Sequence, residues 1–341
     1  MKSICINKHG SVDVLKVVEN DEPICPSNKL KINIKACSLN HLDIWVRNGI
    51  PGFNIPLPLI LGSDASGVVI EVGQKINDYS IGDNVIIQPG TFDKNCNIVK
   101  KGKENYSNSY GILGETQDGV QTEYILLDPI NIYKKPNHLS FEEAACMPLV
   151  FMTAYQMLIE RALLLPEEIV LIYGGTSGVG MAAIQIAKDI GAKVITTVGG
   201  SYKKKFVENL GADYILDHND KGLAKKIQDI SSKGIDVIFE HIGDLTWKQS
   251  LKVLGIRGRI VTCGATTGSN VRIDLKHLFI KQQTIMGSTM GSLATFKNVV
   301  EKINNKKYVP FVDDVYKFRN IKNAHLRMEN REHFGKIVLI P

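Results

Sequence analysis

At 341 residues the chain exceeds what a single hydrophobic core usually serves, so two domains are expected. Its apolar and charged fractions of 44% and 22% exclude a disordered chain, and no run approaches the ~18 uninterrupted apolar residues of a membrane span. The net charge of +6 is the small difference between 41 basic and 35 acidic residues, a solvated surface that gives no reason to expect nucleic-acid binding.

Residues 1–36 read as strands at Ser3–Asn7, Val14–Val18 and Leu30–Ala36, the last alternating as KINIKA. A short helix is expected over Asn40–Asn48, closing at Gly49, and the three prolines of Pro51–Pro58 make an ordered loop. Strands follow at Gly67–Val72 and Asp83–Gln88. Residues 91–115 are polar and aperiodic, the pattern of a long surface lobe. Gln121–Leu127 returns to strand. Ser140, with Glu143 three residues on, is a capping box that opens a helix leading to a second, buried one in MPLVFMTAYQMLIERALL.

From residue 169 strands and helices alternate. The strands are Ile169–Tyr173, Lys193–Val198, Tyr214–Leu216, Asp236–Glu240, Arg259–Cys263 and Thr284–Gly287, with helices near 178–190, 202–210, 221–231 and 244–254. This order predicts a parallel doubly wound sheet with its ligand at the strand C-termini. The tail holds a helix near Leu293–Asn304 and a strand at Lys336–Ile340, too little for its own core, so it packs back on the first domain. The start, MKSICINKHG, lacks a signal-peptide core, and six scattered cysteines without a C-x-x-C pair read as reduced thiols; a cytoplasmic location is expected.

The chain is organised around Ile169–Gly180, IVLIYGGTSGVG. A buried strand, a glycine turn and a helix place backbone N–H groups and a helix dipole at one point, which is how a pyrophosphate is held. Gly175, Thr176, Ser177, Gly178, Val179 and Gly180 are the expected cradle, with Ser177 where the second glycine of G-x-G-x-x-G would stand. Glycine turns also occur in proteins that bind no nucleotide, but here strand and helix flank the turn as a dinucleotide site requires. An NAD site usually has an acid at the end of the second strand, to accept from the ribose 2′-OH. That strand ends TTVGGSYKKK, and Thr196–Tyr202 contains no acid. Ser201, Lys203 and Lys204 favour a 2′-phosphate, hence NADPH; the alternative is an exposed lysine run.

The segments SLNHLDIWVRNG (38–49), LPLILGSDASGVVIEVG (57–73), GDNVIIQPG (82–90), YGGTSGVGMAAIQIAK (173–188), LGADYILDH (210–218) and HFGKIVL (333–339) resemble the medium-chain dehydrogenase/reductase superfamily, in its order, over essentially the whole chain. The resemblance is to the superfamily's zinc-free quinone oxidoreductase-like branch. It implies an α/β protein with a GroES-like, mostly-β catalytic domain (1–149 and 292–341), a Rossmann domain (150–291), and a homodimer. The catalytic-zinc positions of zinc members fall on Asn40, Ser63 and Leu149, and an amide, a hydroxyl and an alkyl group do not replace thiolate and imidazole; no metal is expected. His41, Asp43 and Asp64 offer an alternative ligand set, while the ordinary reading has both aspartates bonding backbone at the domain cleft. The structural-zinc positions fall on Asp93, Cys96, Val99 and Ser107, leaving one thiol.

By resemblance, Lys203 is a phosphate-binding lysine and His218 takes the place of a phosphate-contacting tyrosine. Asn40 and Thr153 lie beside the nicotinamide ribose, and Lys336 lies near the cofactor. Cys263-Gly264 and Gly287-Ser288 hold the carboxamide by backbone groups. His241 is either packed or functional, and Arg47 pairs with either the pyrophosphate or Asp43. The function implied is zinc-independent, NADPH-dependent reduction of quinones or α,β-unsaturated carbonyl compounds. Asn40, His41 and Asp43 are the catalytic candidates, with the proton coming from water, His41 or a cleft hydroxyl. The partner is a small-molecule substrate, not a nucleic acid or membrane. The alternatives are an alcohol dehydrogenase of the same fold and a cofactor-binding structural protein without turnover, as lens crystallins of this family are.

Overall fold

Alternation of apolar and polar side chains gives the N-terminal part its strands. The computed structural model describes residues 1–341, and they divide into two compact units, Met1–Val150 with Ser292–Pro341, and Phe151–Gly291. In the first unit β1 (Lys2–Ile6) is followed by a 3-10 turn at Val12–Val14, which takes up the first residue of the strand expected over Val14–Val18. The Ser11 hydroxyl accepts from Asp13 N–H and turns the chain there, so β2 starts late, at Lys16–Glu19. Then come β3 (Leu30–Ser38), α1 (His41–Asn48), β4 (Leu59–Ile60), β5 (Asp64–Val72) and β6 (Asn84–Ile87).

The lobe over 91–115 is small but folded. Within it β7 (Gly90–Thr91) pairs with β8 (Gly111–Ile112), and α2 (Asn97–Lys100) lies between them in sequence. Its Glu104 is buried and accepts from the Leu293 N–H at 3.2 Å, so this polar stretch carries a packed face that its composition does not announce. Two of the positions that the resemblance assigns to a structural zinc touch: Ser107 Oγ donates to Cys96 Sγ at 3.4 Å. Beyond it lie β9 (Tyr124–Leu127), β10 (Ile132–Lys134), α3 (Phe141–Ala145) with the Ser140–Glu143 capping box, and α4 (Pro148–Tyr155), which continues as a π-helical turn over Gln156–Arg161.

The second unit is the doubly wound sheet. Its elements are β11 (Ile169–Ile172), α5 (Gly178–Ile190), β12 (Lys193–Val198), α6 (Lys204–Asn209), β13 (Tyr214–Asp217), α7 (Leu223–Ile230), β14 (Ile235–Glu240), α8 (Asp244–Val253), β15 (Leu254–Thr262), α9 (Leu275–Ile280) and β16 (Thr284–Gly287). All pairings are parallel and the order is β13-β12-β11-β14-β15-β16. The order reverses between β11 and β14, which opens a crevice at their C-terminal ends. Gly191, at φ +95°, ends α5 in the left-handed conformation that glycine adopts without strain.

The chain then returns to the first unit with α10 (Leu293–Asn304), β17 (Val312–Lys317), α11 (Ile321–Glu329) and β18 (Lys336–Ile340). Neither β17 nor α11 is expected from the sequence. The strand VDDVYK is polar and half exposed, and α11 buries a histidine, His325, beside Ile321, Ala324 and Met328. In the first unit's largest sheet, β18 lies between β3 and β17 in the path β10-β6-β5-β3-β18-β17, with β9 also paired to β3. This brings the start of β18 beside the end of β3. No helix is long and apolar enough to cross a membrane.

Candidate functional site

In the second unit the glycine turn is held by the strand next to it. The Gly174 N–H donates to Thr197 Oγ1 at 3.1 Å, and Gly175 N–H to the Thr197 carbonyl at 2.9 Å. A Cβ on Gly175 would stand 2.2 Å from Thr196 Oγ1, and one on Gly180 would stand 2.3 Å from the Gly174 carbonyl. Close packing within the turn therefore demands both glycines. Ser177 is the N-cap of α5 and accepts from Gly180 N–H at 3.0 Å, which explains a serine where the motif has glycine. The first-turn N–H groups of Gly178 and Val179 have no acceptor further up the helix, and with Thr176 before them they are the donors this turn offers an anion.

At the end of β12, the His218 imidazole packs over Gly199, where an added Cβ would meet the ring at about 2.9 Å. Ser201 opens a 3-10 turn that runs to Lys203. Lys203 is only 6% exposed, with Nζ 5.7 Å above the Tyr202 ring, whereas Lys204 and Lys205 face solvent. The turn thus singles out one lysine of the run. Thr153 Oγ1 lies 3.9 Å from Met290 Sδ.

The expected carboxamide holders have internal partners. Gly264 O accepts from the Thr262 hydroxyl at 3.1 Å and Gly287 O from Arg161 Nε at 3.0 Å, although a carbonyl keeps a second lone pair. Burial pushes the Cys263 thiol up to about 12, so it is not a thiolate. His241 resolves as a packed histidine: its ring lies edge-on to Phe239, Nε2 is 2.8 Å from the Tyr173 carbonyl, and burial lowers its pKa. Glu240 is not among the residues singled out from sequence. This buried carboxylate accepts from Ile242 N–H, Gly243 N–H, Thr246 Oγ1 and Ser250 Oγ, and so shapes the loop at the switch point. The signal available was an acid closing an otherwise apolar strand.

In the first unit Asn40 is the N-cap of α1, and its backbone N–H donates to Asp43 Oδ2 at 2.7 Å. Its side chain turns inward: Nδ2 donates to Asp64 Oδ2 at 2.9 Å and Oδ1 accepts from Lys336 Nζ. Lys336 Nζ donates to the same Asp64 oxygen at 2.9 Å, and Asp64 Oδ1 accepts from Leu149 N–H at 2.8 Å. Asp43 also accepts from Gln121 Nε2 at 3.2 Å. Both aspartates therefore bond backbone groups. Burial pushes Asp43 up to about 6, against the opposing pull of the Asn40 N–H and the Lys336 charge. His41, the first residue of α1, stands edge-on to Trp45 at 5.3 Å.

These residues do not fit zinc. Ser63 Oγ donates to the Leu113 carbonyl at 2.8 Å, Leu149 has no donor side chain, and an ammonium is bonded to the amide at Asn40. No group of three or more His, Cys, Asp or Glu side chains is placed to hold a metal ion. Arg47 pairs not with Asp43 but with Glu329, and its Nη1 is 3.1 Å from His325 Nδ1; it ties α1 to α11.

A parallel sheet ordered around a glycine turn, joined in one chain to a separate β unit, is the architecture of two-domain dinucleotide-binding oxidoreductases. Residues 26–137 match the alcohol dehydrogenase GroES-like domain family and residues 178–305 the zinc-binding dehydrogenase family. The chain is 31% identical to a crotonyl-CoA carboxylase/reductase of Cereibacter sphaeroides, over 96% of this chain and 83% of that one. It is 29% identical to the human quinone oxidoreductase, over 100% and 98%. A solved structure of an NAD-dependent alcohol dehydrogenase superposes with a TM-score of 0.96 at 36% identity, covering 100% of both chains. The chain belongs to the medium-chain dehydrogenase/reductase superfamily.

Proposed function

We propose that the protein is an NADPH-dependent, zinc-independent reductase of quinones or α,β-unsaturated carbonyl compounds. The observation that carries this reading is the buried Asn40–Asp64–Lys336 cluster, which places an amide and an ammonium among the positions where zinc members have metal ligands. Oxidising a simple alcohol requires a stabilised alkoxide, and a metal ordinarily provides that. A conjugated carbonyl takes up the arriving charge on its own oxygen, so one hydrogen bond suffices to steady it.

The bound cofactor would supply hydride. Gly178 and Val179 N–H groups and the α5 dipole would hold its pyrophosphate, while Lys203 and Ser201 would neutralise a 2′-phosphate. Thr153 would contact the nicotinamide ribose. Asp43, 2% exposed and bonded on both oxygens, would act by fixing the start of α1. The rival reading, an alcohol dehydrogenase, is favoured by the 36% identical structure named for that activity.

Product analysis separates the two. With NADPH and 2-cyclohexenone, the reductase yields the saturated ketone, one hydride and one proton added across the carbon–carbon double bond. Formation of the allylic alcohol instead contradicts the reading. Metal analysis adds an independent check: no stoichiometric zinc is expected after mild chelation, and zinc that persists overturns the metal-free assignment.

A further inference from the structure

A carboxamide has two ends of similar shape and opposite hydrogen-bonding sense, so a protein that needs one end in place must discriminate between them. The Asn40 side chain is discriminated twice. An ammonium can only donate and an ionised carboxylate can only accept. Lys336 Nζ therefore takes Oδ1, and Asp64 Oδ2 takes Nδ2 at 2.9 Å. Turning the amide over would set N–H against N–H and oxygen against oxygen.

The clamp is itself braced. Lys336 Nζ and Asp64 Oδ2 are paired at 2.9 Å, which closes a ring of three hydrogen bonds, and Asp64 Oδ1 is anchored by Leu149 N–H. The cluster is graded in depth: Asp64 is 0% exposed, Lys336 2% and Asn40 5%. Helix capping alone does not explain these contacts, because neither Lys336 nor Asp64 belongs to α1. These contacts use one N–H of Nδ2 and leave the other.

We propose that Lys336 and Asp64 are positioning residues, which fix the Asn40 carboxamide so that its second N–H donates to the carbonyl oxygen of the conjugated acceptor. The inference rests on the reductase reading above. When hydride from NADPH adds to the β-carbon, the π pair of the carbon–carbon double bond shifts between the α-carbon and the carbonyl carbon, and the carbonyl π pair moves onto the oxygen. The N–H of Asn40 steadies that oxygen, and a proton from water then adds at the α-carbon to give the saturated carbonyl. Asn40 touches the reacting group; Lys336 and Asp64 act through it.

A double-mutant cycle tests this on the full chain with NADPH and 2-cyclohexenone. Asn40→Ala is expected to lower kcat by about 100- to 1000-fold, the range for losing one donor to a developing oxyanion, and Lys336→Met by no more than that, with the KM for NADPH little changed in both. The double variant is expected to be no slower than Asn40→Ala alone, because Lys336 then has nothing left to orient. Lys336→Arg, which keeps a donor-only cation, should recover part of the loss. The rate difference between light and 4-deuterated NADPH should grow in each slow variant, since hydride transfer is the step affected. If Lys336→Met does not fold, Asp64→Asn takes its place in the cycle, as it keeps the volume but exchanges one of two acceptor oxygens, both bonded by N–H groups, for a donor. Multiplying losses in an active enzyme, or an unchanged kcat with a lowered melting temperature, overturn the proposal alone. A wild-type protein that reduces no conjugated acceptor overturns the reductase reading and this proposal with it.

Discussion

On the proposed reading, Lys203 is the residue on which cofactor choice would turn. Its two lysine neighbours face solvent while it lies against the Tyr202 ring, in a turn that follows an acid-free strand end. Replacing Lys203 by Ala should weaken NADPH binding by about 1–3 kcal/mol, the range of a charge-assisted contact, and leave NADH binding nearly untouched. Titration of both cofactors checks this, and equal losses for the two contradict it. Gly175 makes a second test. Its missing Cβ leaves room for Thr196 Oγ1, which donates to Ile172 O at 2.9 Å and cannot swing away without breaking that bond. Gly175→Ala should cost about 1–3 kcal/mol in a denaturant melt, as overpacking does, and an unchanged midpoint would show that the turn yields. At this scale the sequence is most legible where neighbours in space are neighbours in chain. The Ser177 cap and the Gly178–Val179 donors lie within four residues of one another. The Lys336–Asp64 pair was not legible, because its partners are 272 residues apart and meet only when β18 inserts beside β3.

The elements of the first unit carry two buried titrating groups of opposite effect. Asp43, under the start of α1, is pushed up to about 6 from an ordinary 3.8; His325, on α11, is pushed down to about 3 from 6.5 by burial and by the Arg47 charge. As pH falls from 6 to 4 the folded chain takes up a proton at Asp43 that the unfolded chain does not, which stabilises it. Over the window from 6.5 toward 3 the unfolded chain protonates His325 while the folded chain does not, which destabilises it. Each effect is on the order of 2–3 kcal/mol by pH 4, and the two oppose each other in the wild type. Relative to wild type, His325→Asn should gain stability on acidification and Asp43→Asn should lose it. Urea unfolding at pH 6.5 and pH 4 reads the sign directly, and parallel pH curves for all three proteins contradict the assignment. The strands and helices that could be read from sequence share a property: an apolar face at regular spacing, as in Ile169–Ile172 or Gly178–Ile190. Those that could not be read, β17 and α11, hold polar residues on buried or half-buried positions and are fixed by contacts such as Arg327 with Asp313.

For the whole molecule, the family and the α/β architecture follow from several motifs kept in order, whereas substrate class turns on few side chains. On the proposed reading, the glycine turn of the second unit would serve alcohol and enone chemistry equally, and the first unit would make the distinction, through Asn40 and its contacts with Asp64 and Lys336. Both rivals to the reductase reading are therefore decided by turnover: an alcohol dehydrogenase must oxidise alcohols, and a structural protein that keeps the fold must do nothing with either substrate. The direct measurement is a paired assay on one chelated, metal-free preparation, with NADPH against a panel of quinones and enones and NADP⁺ or NAD⁺ against primary and secondary alcohols. The account predicts NADPH oxidation with at least one conjugated acceptor, and alcohol oxidation slower by about a thousand-fold or more, the consequence of a barrier several kcal/mol higher without a metal. Robust alcohol oxidation with no turnover of any conjugated acceptor would contradict it.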